Sequence, residues 1–364
     1  NRILECAVAG KADAIVTGFA EQTWPQLLRD FLKGQLKPRY DQSPDFVFAN
    51  MPEPRRDLVK QGAYITLNTV QATRGCKHRC TFCVVPVAWP EFLMRPVDEV
   101  VHEVSRLEGN KFLFLDLSPL EDPNYIKGLY RALIPLGKKW GGLATMAIAR
   151  DDEMLSLARK SGCRGLLLVI ESMSEEAIRR MGKKGLNSPA DYLEGIKKIH
   201  DAGIAINGCF VLGLDGEDES VFERTVEFVD RAAIDLPRFA VPTPFPNTAL
   251  YRSLERQGRL LHRNWKYYDV QHVVFQPLSM SPERLQEGLL WTWREAYRLP
   301  SIVRRIARSG ASRSALVLQH TLPANLAYRF FARFLPEFAL TSCEVEPEFS
   351  ATAPEATEHM EVVR

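Results

Sequence analysis

The stretch "YITLNTVQATRGCKHRCTFC", Tyr64 to Cys83, runs from an apolar, β-branched segment straight into a loop with three of the chain's seven cysteines. The first half reads as a strand. The second half spaces Cys76, Cys80 and Cys83 as C-x3-C-x2-C, with no fourth cysteine close by. Structural zinc takes four ligands, usually as two pairs. Here His78 lies inside the tight loop, Cys163 falls in a predicted helix-to-strand turn and Cys209 in a predicted buried strand, so a zinc set is awkward to assemble. Thiolates also hold 4Fe-4S clusters, four of them in an ordinary electron carrier. Three would leave one iron open to a substrate or cofactor. An odd, clustered cysteine count is unlike an extracellular disulfide framework. It suits a reducing compartment, so a cytoplasmic location is expected.

Outward from this loop, strand and helix signals alternate. Val97, Val100, Val101, Val104 and Leu107 fall on one helical face, and "KFLFLD" is a buried strand followed by a helix from about Asn124 to Ile134. "LATMAIA" with "DDEMLSLARKSG", then "GLLLVIES" with helices over 174–181 and 190–202, continue the series. "IAINGCFVLG" precedes a helix from about Glu219 to Ala232, and "RFAVPTPFP" closes the pattern near Pro246. Such alternation implies a parallel sheet. The expected fold is α/β, a partial six-unit TIM-like barrel over residues 63–246. Polar and special residues cluster at the predicted strand ends: the cysteine loop, Asp116, Glu171 with Ser172, Gly213 with Glu217, and Thr243. In parallel α/β folds that rim carries the active site.

Before the barrel, "DAIVTG" reads as a strand and "EQTWPQLLRDFLKG" as a helix with Trp24, Leu27, Leu28, Phe31 and Leu32 on one face, Pro25 in its first turn and Gly34 at its C-cap. Residues 1–36 thus form the end of another α/β unit, and the proline-punctuated 37–62 a linker. After the barrel, 247–341 is helical and aromatic, with seven arginines against the single acid Glu337 between Arg298 and Thr341. The acidic tail 342–364 has little to pack and is expected to be disordered. A net charge of +2 gives no electrostatic footprint for nucleic acid. No apolar run reaches the roughly 18 residues of a membrane span.

The C-x3-C-x2-C spacing with Phe82 before the last cysteine, set just after the first strand of a β/α series, resembles the radical S-adenosylmethionine (SAM) superfamily. The resemblance implies that Cys76, Cys80 and Cys83 hold a 4Fe-4S cluster whose open iron chelates SAM, and that an electron from the cluster cleaves the sulfonium to methionine and a 5'-deoxyadenosyl radical. It places Phe82 near the adenine. "DLSPLEDP" supplies Asp116 and Ser118 at the loop that contacts the methionine amino group, although Leu117 and Ser118 depart from the usual pattern of two acids and an amide. "VIESMSEEAIRRMGKKG" resembles the fourth-strand motif more closely, with Glu171 on the ribose hydroxyls and Ser172 on the methionine carboxylate. "GCFVLGLDGED" puts Gly213 and Glu217 beside the adenosine, and "VPTPFPNTALYRSLERQGRL" puts Thr243 near the adenine.

The N-terminal piece resembles the last strand and helix of a cobalamin-binding Rossmann-like domain. With "PRRDL", Arg95–Pro96 and the "TPFP…GRL…W…YD…VF…MSPE" run to Glu283, it is similar to the cobalamin-dependent subfamily of anaerobic cyclases and methylases. The resemblance implies that the turn holding Thr17, Gly18, Phe19 and Glu21 approaches cobalamin. It also implies that more of that domain lies upstream of Asn1. The expected reaction is cobalamin-dependent methylation of an unactivated carbon of a small-molecule or lipid-like substrate. A cobalamin-assisted cyclase or oxidase and a non-radical iron–sulfur protein are the alternatives. An electron donor such as flavodoxin or ferredoxin is implied, and the Arg/Phe/Leu mix of "LAYRFFARFL" points to weak peripheral membrane contact. Trp265, Tyr267, Tyr268 and Trp291 are candidate substrate-facing aromatics, though such residues are more often core.

Overall fold

The computed structural model describes residues 12–339 except 61–63, 65, 67, 90, 184–187, 312 and 313. Its centre is a six-stranded parallel sheet of β3 (Thr69–Val70), β6 (Lys111–Phe114), β7 (Lys139–Ala144), β8 (Cys163–Glu171), β9 (Ala205–Val211) and β10 (Leu236–Ala240), paired in that order. β3 and β10 are edges that do not meet, so the barrel is open, as the six strand–helix units require. Alternate side chains of β8, among them Leu166, Leu168 and Ile170, are fully buried, the period-two pattern of a pleated strand packed on its core.

The crossover helices α3 (Val97–Arg106), α4 (Pro123–Leu133), α5 (Asp152–Lys160), α6 (Glu175–Arg180), α7 (Tyr192–Asp201) and α8 (Val221–Arg231) follow the strands in turn. Ahead of them lie α1 (Ala20–Leu32) and the single turn α2 (Val85–Ala88). Local chemistry starts several of the crossover helices. Asp122 accepts from the Tyr125 N–H at 2.9 Å, Asp151 from Met154 at 2.9 Å and Ser174 from Ala177 at 3.3 Å, each satisfying a backbone donor that has no partner within the helix. One strand lies earlier than expected: Lys139–Ala144 pairs, while Met146–Arg150, which takes in the end of "LATMAIA", coils into a 3-10 segment. The glycines at 141 and 142 obscured the strand, because they carry no side chain to alternate.

Two N-terminal expectations are corrected. Residues 37–62 are not a bare linker, since β2 (Arg39–Asp41) pairs in parallel with β1 (Ile15–Thr17) and Thr17 Oγ1 donates to Asp41. α1 starts at Ala20, which puts Pro25 inside it rather than in its first turn. Its apolar stripe is not core: Trp24, Leu28, Phe31 and Leu32 are exposed among the described residues, and Thr23 is the residue it buries.

Behind the barrel, α9 (Ala249–Arg256), α10 (Pro282–Ala296), α11 (Leu299–Arg308) and α12 (Ala315–Ala339) form the helical region. No described helix is long and apolar enough to cross a membrane. Tyr267 and Tyr268 are buried in a small cluster with Val274, whereas Trp265 and Trp291 are partly exposed. Cys6, Cys343 and the acidic tail lie outside the described residues.

Candidate active site

The cysteine loop begins at a short ribbon of β4 (Thr73–Arg74) and β5 (Leu93–Met94), which pair antiparallel just beyond β3. Gly75 turns the chain at φ +78°, and a Cβ there would sit 1.8 Å from the Glu91 carbonyl oxygen, so only glycine fits. The loop is pinned in its middle. Thr81 N–H donates to Met181 O at 3.2 Å and Thr81 O accepts from Leu250 N–H at 2.8 Å, which ties it to the ends of α6 and α9. Cys83 N–H closes a turn onto Cys80 O at 3.2 Å. The three thiols are half-buried, and burial raises all three pKa values, that of Cys80 to about 11.

A single tetrahedral ion would hold thiolates about 3.8 Å apart, from a metal–sulfur distance of about 2.3 Å. Among the described residues, the one group of three ligand-type side chains with donor atoms within 4.8 Å is Cys76, His78 and Glu121, not the three cysteines. The wider spread of the thiols suits a cluster's corners. Cys163 opens β8 at the opposite end of the sheet and Cys209 lies inside β9, so neither supplies a fourth thiol.

The strand ends bring most of the expected residues to this rim, and several turn out to brace one another. Asp116 is almost fully buried after β6. Its Oδ1 accepts from Ala72 N–H at 3.0 Å, from Thr73 N–H and from Thr73 Oγ1 at 2.7 Å, so it holds the approach to the cysteine loop. Burial lifts its pKa to about 6 against the pull of those donors. Ser118 donates to Glu121 at 2.6 Å, and the same Glu121 oxygen lies 3.3 Å from Cys76 Sγ and 3.1 Å from His78 Nε2. Ser172 donates to Glu217, whose other oxygen accepts from Gly213 and Leu214 N–H at 3.0 Å each. The carboxylate of Glu217 therefore clips the ends of β8 and β9 together. Gly213 has φ +84°, and a Cβ there would strike Leu285 of α10 at 2.4 Å. Thr243 is buried, its hydroxyl accepting from Val270 N–H at 3.1 Å.

Glu171 sits at the bulged end of β8 with φ +69° and is buried. Lys183 Nζ lies 2.5 Å from its Oε1, while Oε2 is sealed from water without a partner. Burial raises the Glu171 pKa and the Lys183 charge opposes the rise. The same ammonium stands 5.6 Å from the Phe82 ring. Lys183 is a site residue that the sequence reading does not single out; its signal is a lysine twelve positions after the strand-end glutamate, three residues past the end of α6. A cavity of 340 Å³ lined by Phe82, Gly213, Leu214, Pro242 and Arg180 joins three of the expected adenosine-facing segments.

On the other side of the cysteine loop a cavity of 740 Å³ opens between the barrel mouth and the N-terminal piece. Gly18, Phe19 and Glu21 line it, opposite Arg74, Gly75, Trp89, Leu115 and Leu117. Thr17 is buried behind them, bonded to Asp41. Phe19 stacks on Trp89 at 6.2 Å and 1°, so residues on both flanks of the cysteine loop grip the N-terminal turn.

Residues 70–229, from β3 through most of α8, match the radical SAM superfamily. The chain belongs to the radical SAM superfamily. It is 30% identical over 80% of its length to the bacteriochlorophyllide d C-12(1)-methyltransferase of Chlorobaculum tepidum, of which it spans 66%. It is 24% identical over 62% of its length to the anaerobic magnesium-protoporphyrin IX monomethyl ester cyclase of Cereibacter sphaeroides, spanning 37% of that protein. The apo structure of the cobalamin-dependent SAM radical enzyme OxsB superposes with a TM-score of 0.56 at 14% identity, over 86% of this chain and 55% of that one; the two share a fold.

The radical SAM assignment fits the donor set on chemical grounds. Burial disfavours isolated thiolates at all three cysteines, with Lys183 opposing it at Cys80 and Cys83, and ligation to iron would supply the positive charge that deprotonation needs. The unpartnered Glu171 Oε2 is a buried acceptor of the kind a ribose diol satisfies.

Proposed function

We propose that this chain carries the catalytic barrel of a cobalamin-dependent radical SAM methyltransferase. The observation that carries the reading is a three-thiol loop at the C-terminal rim of an open parallel barrel, facing a 740 Å³ apolar cavity walled by the N-terminal turn. Cys76, Cys80 and Cys83 would hold the 4Fe-4S cluster, Glu171 and Ser172 the ribose and methionine ends of SAM, and Phe82, Gly213 and the backbone around Thr243 the adenine. Asp116 and Ser118 then act from the loop after β6, where Asp116 holds Thr73 and Ser118 orients Glu121. Glu217 acts by fixing Ser172. Thr17, Gly18, Phe19 and Glu21 present the wall on which cobalamin would lie.

When bound, the cluster and SAM supply a carbon-centred oxidant and cobalamin supplies the methyl group. The protein's own part is to exclude water and to hold these groups on either side of the cysteine loop. The methyltransferase and cyclase names of the relatives support a small, porphyrin-sized or lipid-like substrate. An electron donor such as flavodoxin or ferredoxin belongs with this reading. So does a cytoplasmic setting, in keeping with the free state of Cys76, Cys80, Cys83, Cys163 and Cys209. Weak membrane contact through the exposed Leu322, Leu326, Phe330 and Phe331 of α12 also belongs here.

The test is anaerobic reconstitution of the cluster followed by dithionite and SAM. The expected product is 5'-deoxyadenosine, absent from Cys80→Ala; its undiminished release from that variant would overturn the radical assignment. Transfer of labelled methyl from SAM to product separates methylation from the cyclase reading, which predicts 5'-deoxyadenosine without label transfer.

A further inference from the structure

We infer that Cys76, His78 and Glu121 form a site for a single zinc-class divalent ion, which the loop takes when it holds no cluster and which excludes the cluster by occupying Cys76. The donor atoms of the three residues lie within 4.8 Å of one another. A tetrahedral zinc ion has a metal–sulfur distance of about 2.3 Å and metal–nitrogen and metal–oxygen distances of about 2.0 Å. It therefore sets sulfur and oxygen about 3.5 Å apart, and nitrogen and oxygen about 3.3 Å apart. Glu121 Oε1 stands 3.3 Å from Cys76 Sγ and 3.1 Å from His78 Nε2, so both edges already match such an ion to within about 0.2 Å.

The electrostatics favour a cation. The Glu121 side chain is 5% exposed, and among the described residues no lysine or arginine pairs with its carboxylate. Lys77 Nζ donates instead to the Glu121 carbonyl oxygen at 3.1 Å, and the carboxylate has the Ser118 hydroxyl at 2.6 Å for company. A buried carboxylate without a full counter-charge is costly. A divalent ion would meet that carboxylate and, once Cys76 Sγ has released its proton to water, one thiolate. Ion and anionic ligands then sum to zero, with neutral His78 as the third ligand. The His78 N–H donates to Cys76 Sγ at 3.4 Å, a bond that suits a ligating sulfur. Sulfur and imidazole disfavour Mg2+ and Ca2+, and zinc outbinds Fe2+ at mixed sites of this kind. Three ligands leave a fourth position to water, unlike a closed structural zinc site. The His78 side chain is 32% exposed, which gives the ion its way in.

Zinc on Cys76 withdraws one of the three thiols a cluster needs, so the loop has two exclusive metal states. The exclusion rests on the reading of Cys76 as a cluster ligand; the zinc site itself does not. The full chain, freed of iron by a chelator without oxygen, is titrated with Co2+, whose charge-transfer absorption reports each bound thiolate. One Co2+ per chain should bind with the intensity of a single thiolate, and Zn2+ should displace it. Cys80→Ala should bind Co2+ within about two-fold of the wild type, whereas His78→Ala and Glu121→Gln should each weaken it about ten-fold or more. Zn2+ added before iron and sulfide should block cluster assembly in the wild type but not in His78→Ala, which without zinc should reach wild-type iron content. Melting temperature checks folding; if Glu121→Gln does not fold, His78→Ala decides. No Co2+ binding, binding lost in Cys80→Ala, or undiminished affinity in His78→Ala overturns the site. Zinc retained beside a full cluster overturns the exclusion. A chain that assembles no cluster even without zinc overturns the radical reading instead, and the cobalt spectra still decide the zinc site.

Discussion

Among the described residues, Lys183 is the sole cation bonded to Glu171, in a pair whose other carboxylate oxygen has no partner there. Removing one member of a buried pair strands the other, at about 3–5 kcal/mol when the survivor stays charged. Burial already raises the Glu171 pKa, so in Lys183→Met that carboxyl escapes the penalty by taking a proton at low pH. The variant is therefore expected to lose more stability at pH 8 than at pH 5, as urea unfolding at the two pH values will measure. Asp116 titrates in the same sense. Its folded pKa of about 6 lies above the unfolded value of about 3.9, so the folded chain holds the proton more tightly. The stability it contributes is complete below about pH 4 and declines as pH rises through about 6. Asp116→Asn keeps an oxygen for Ala72 and Thr73 and removes the charge. It should flatten the fall in melting temperature across that interval, an effect on the order of 2–3 kcal/mol at neutral pH.

At the scale of elements, each rim loop is held by a side chain from a neighbour, and the glycines mark where elements touch. Gly213 is placed against α10, and Gly213→Ala meets both a left-handed φ and the Leu285 side chain. A loss of about 1–3 kcal/mol is expected. Leu285→Ala in the same chain should return only the steric part, leaving a non-additive cycle in denaturant unfolding. The strand–helix alternation and the thiol loop were legible in the sequence because they rest on local periodicity and spacing. The bracing was not. Nothing in "GCFVLGLDGED" says that Glu217 points back to Ser172 some 45 residues earlier, nor in "DLSPLEDP" that Asp116 turns to Thr73. These contacts exist only once parallel strands are in register. The apolar stripe of α1 misled for a related reason: periodicity identifies a face that needs covering but not what covers it, and here Trp24 and Phe31 stay exposed.

Across the whole molecule, the C-terminal helices are keyed into the barrel by one polar chain. Arg305, fully buried on α11, donates to Ala296 O, to Ser301 Oγ at 2.7 Å and to Asn325 of α12 at 3.0 Å. Asn325 donates to Asp235 O at 2.9 Å, and the Asp235 carboxylate joins His200 at 2.9 Å and Ser309 at 2.7 Å. Arg305→Met should cost about 3–5 kcal/mol and, because the break lies far from the thiols, leave iron binding per folded chain unchanged; chemical denaturation with iron assay reads both.

At the other end, β3 pairs with β6 over two positions among the described residues, and β8 with β9 over six. The strand that leads into the thiol loop is an edge of the sheet, with a neighbour on one side only, and ligation by iron would tie that edge to the rim. Metal supply then becomes a matter of protein lifetime as well as activity. In a cell short of iron that edge would go without its tie, and quality-control proteases would find a starting point there.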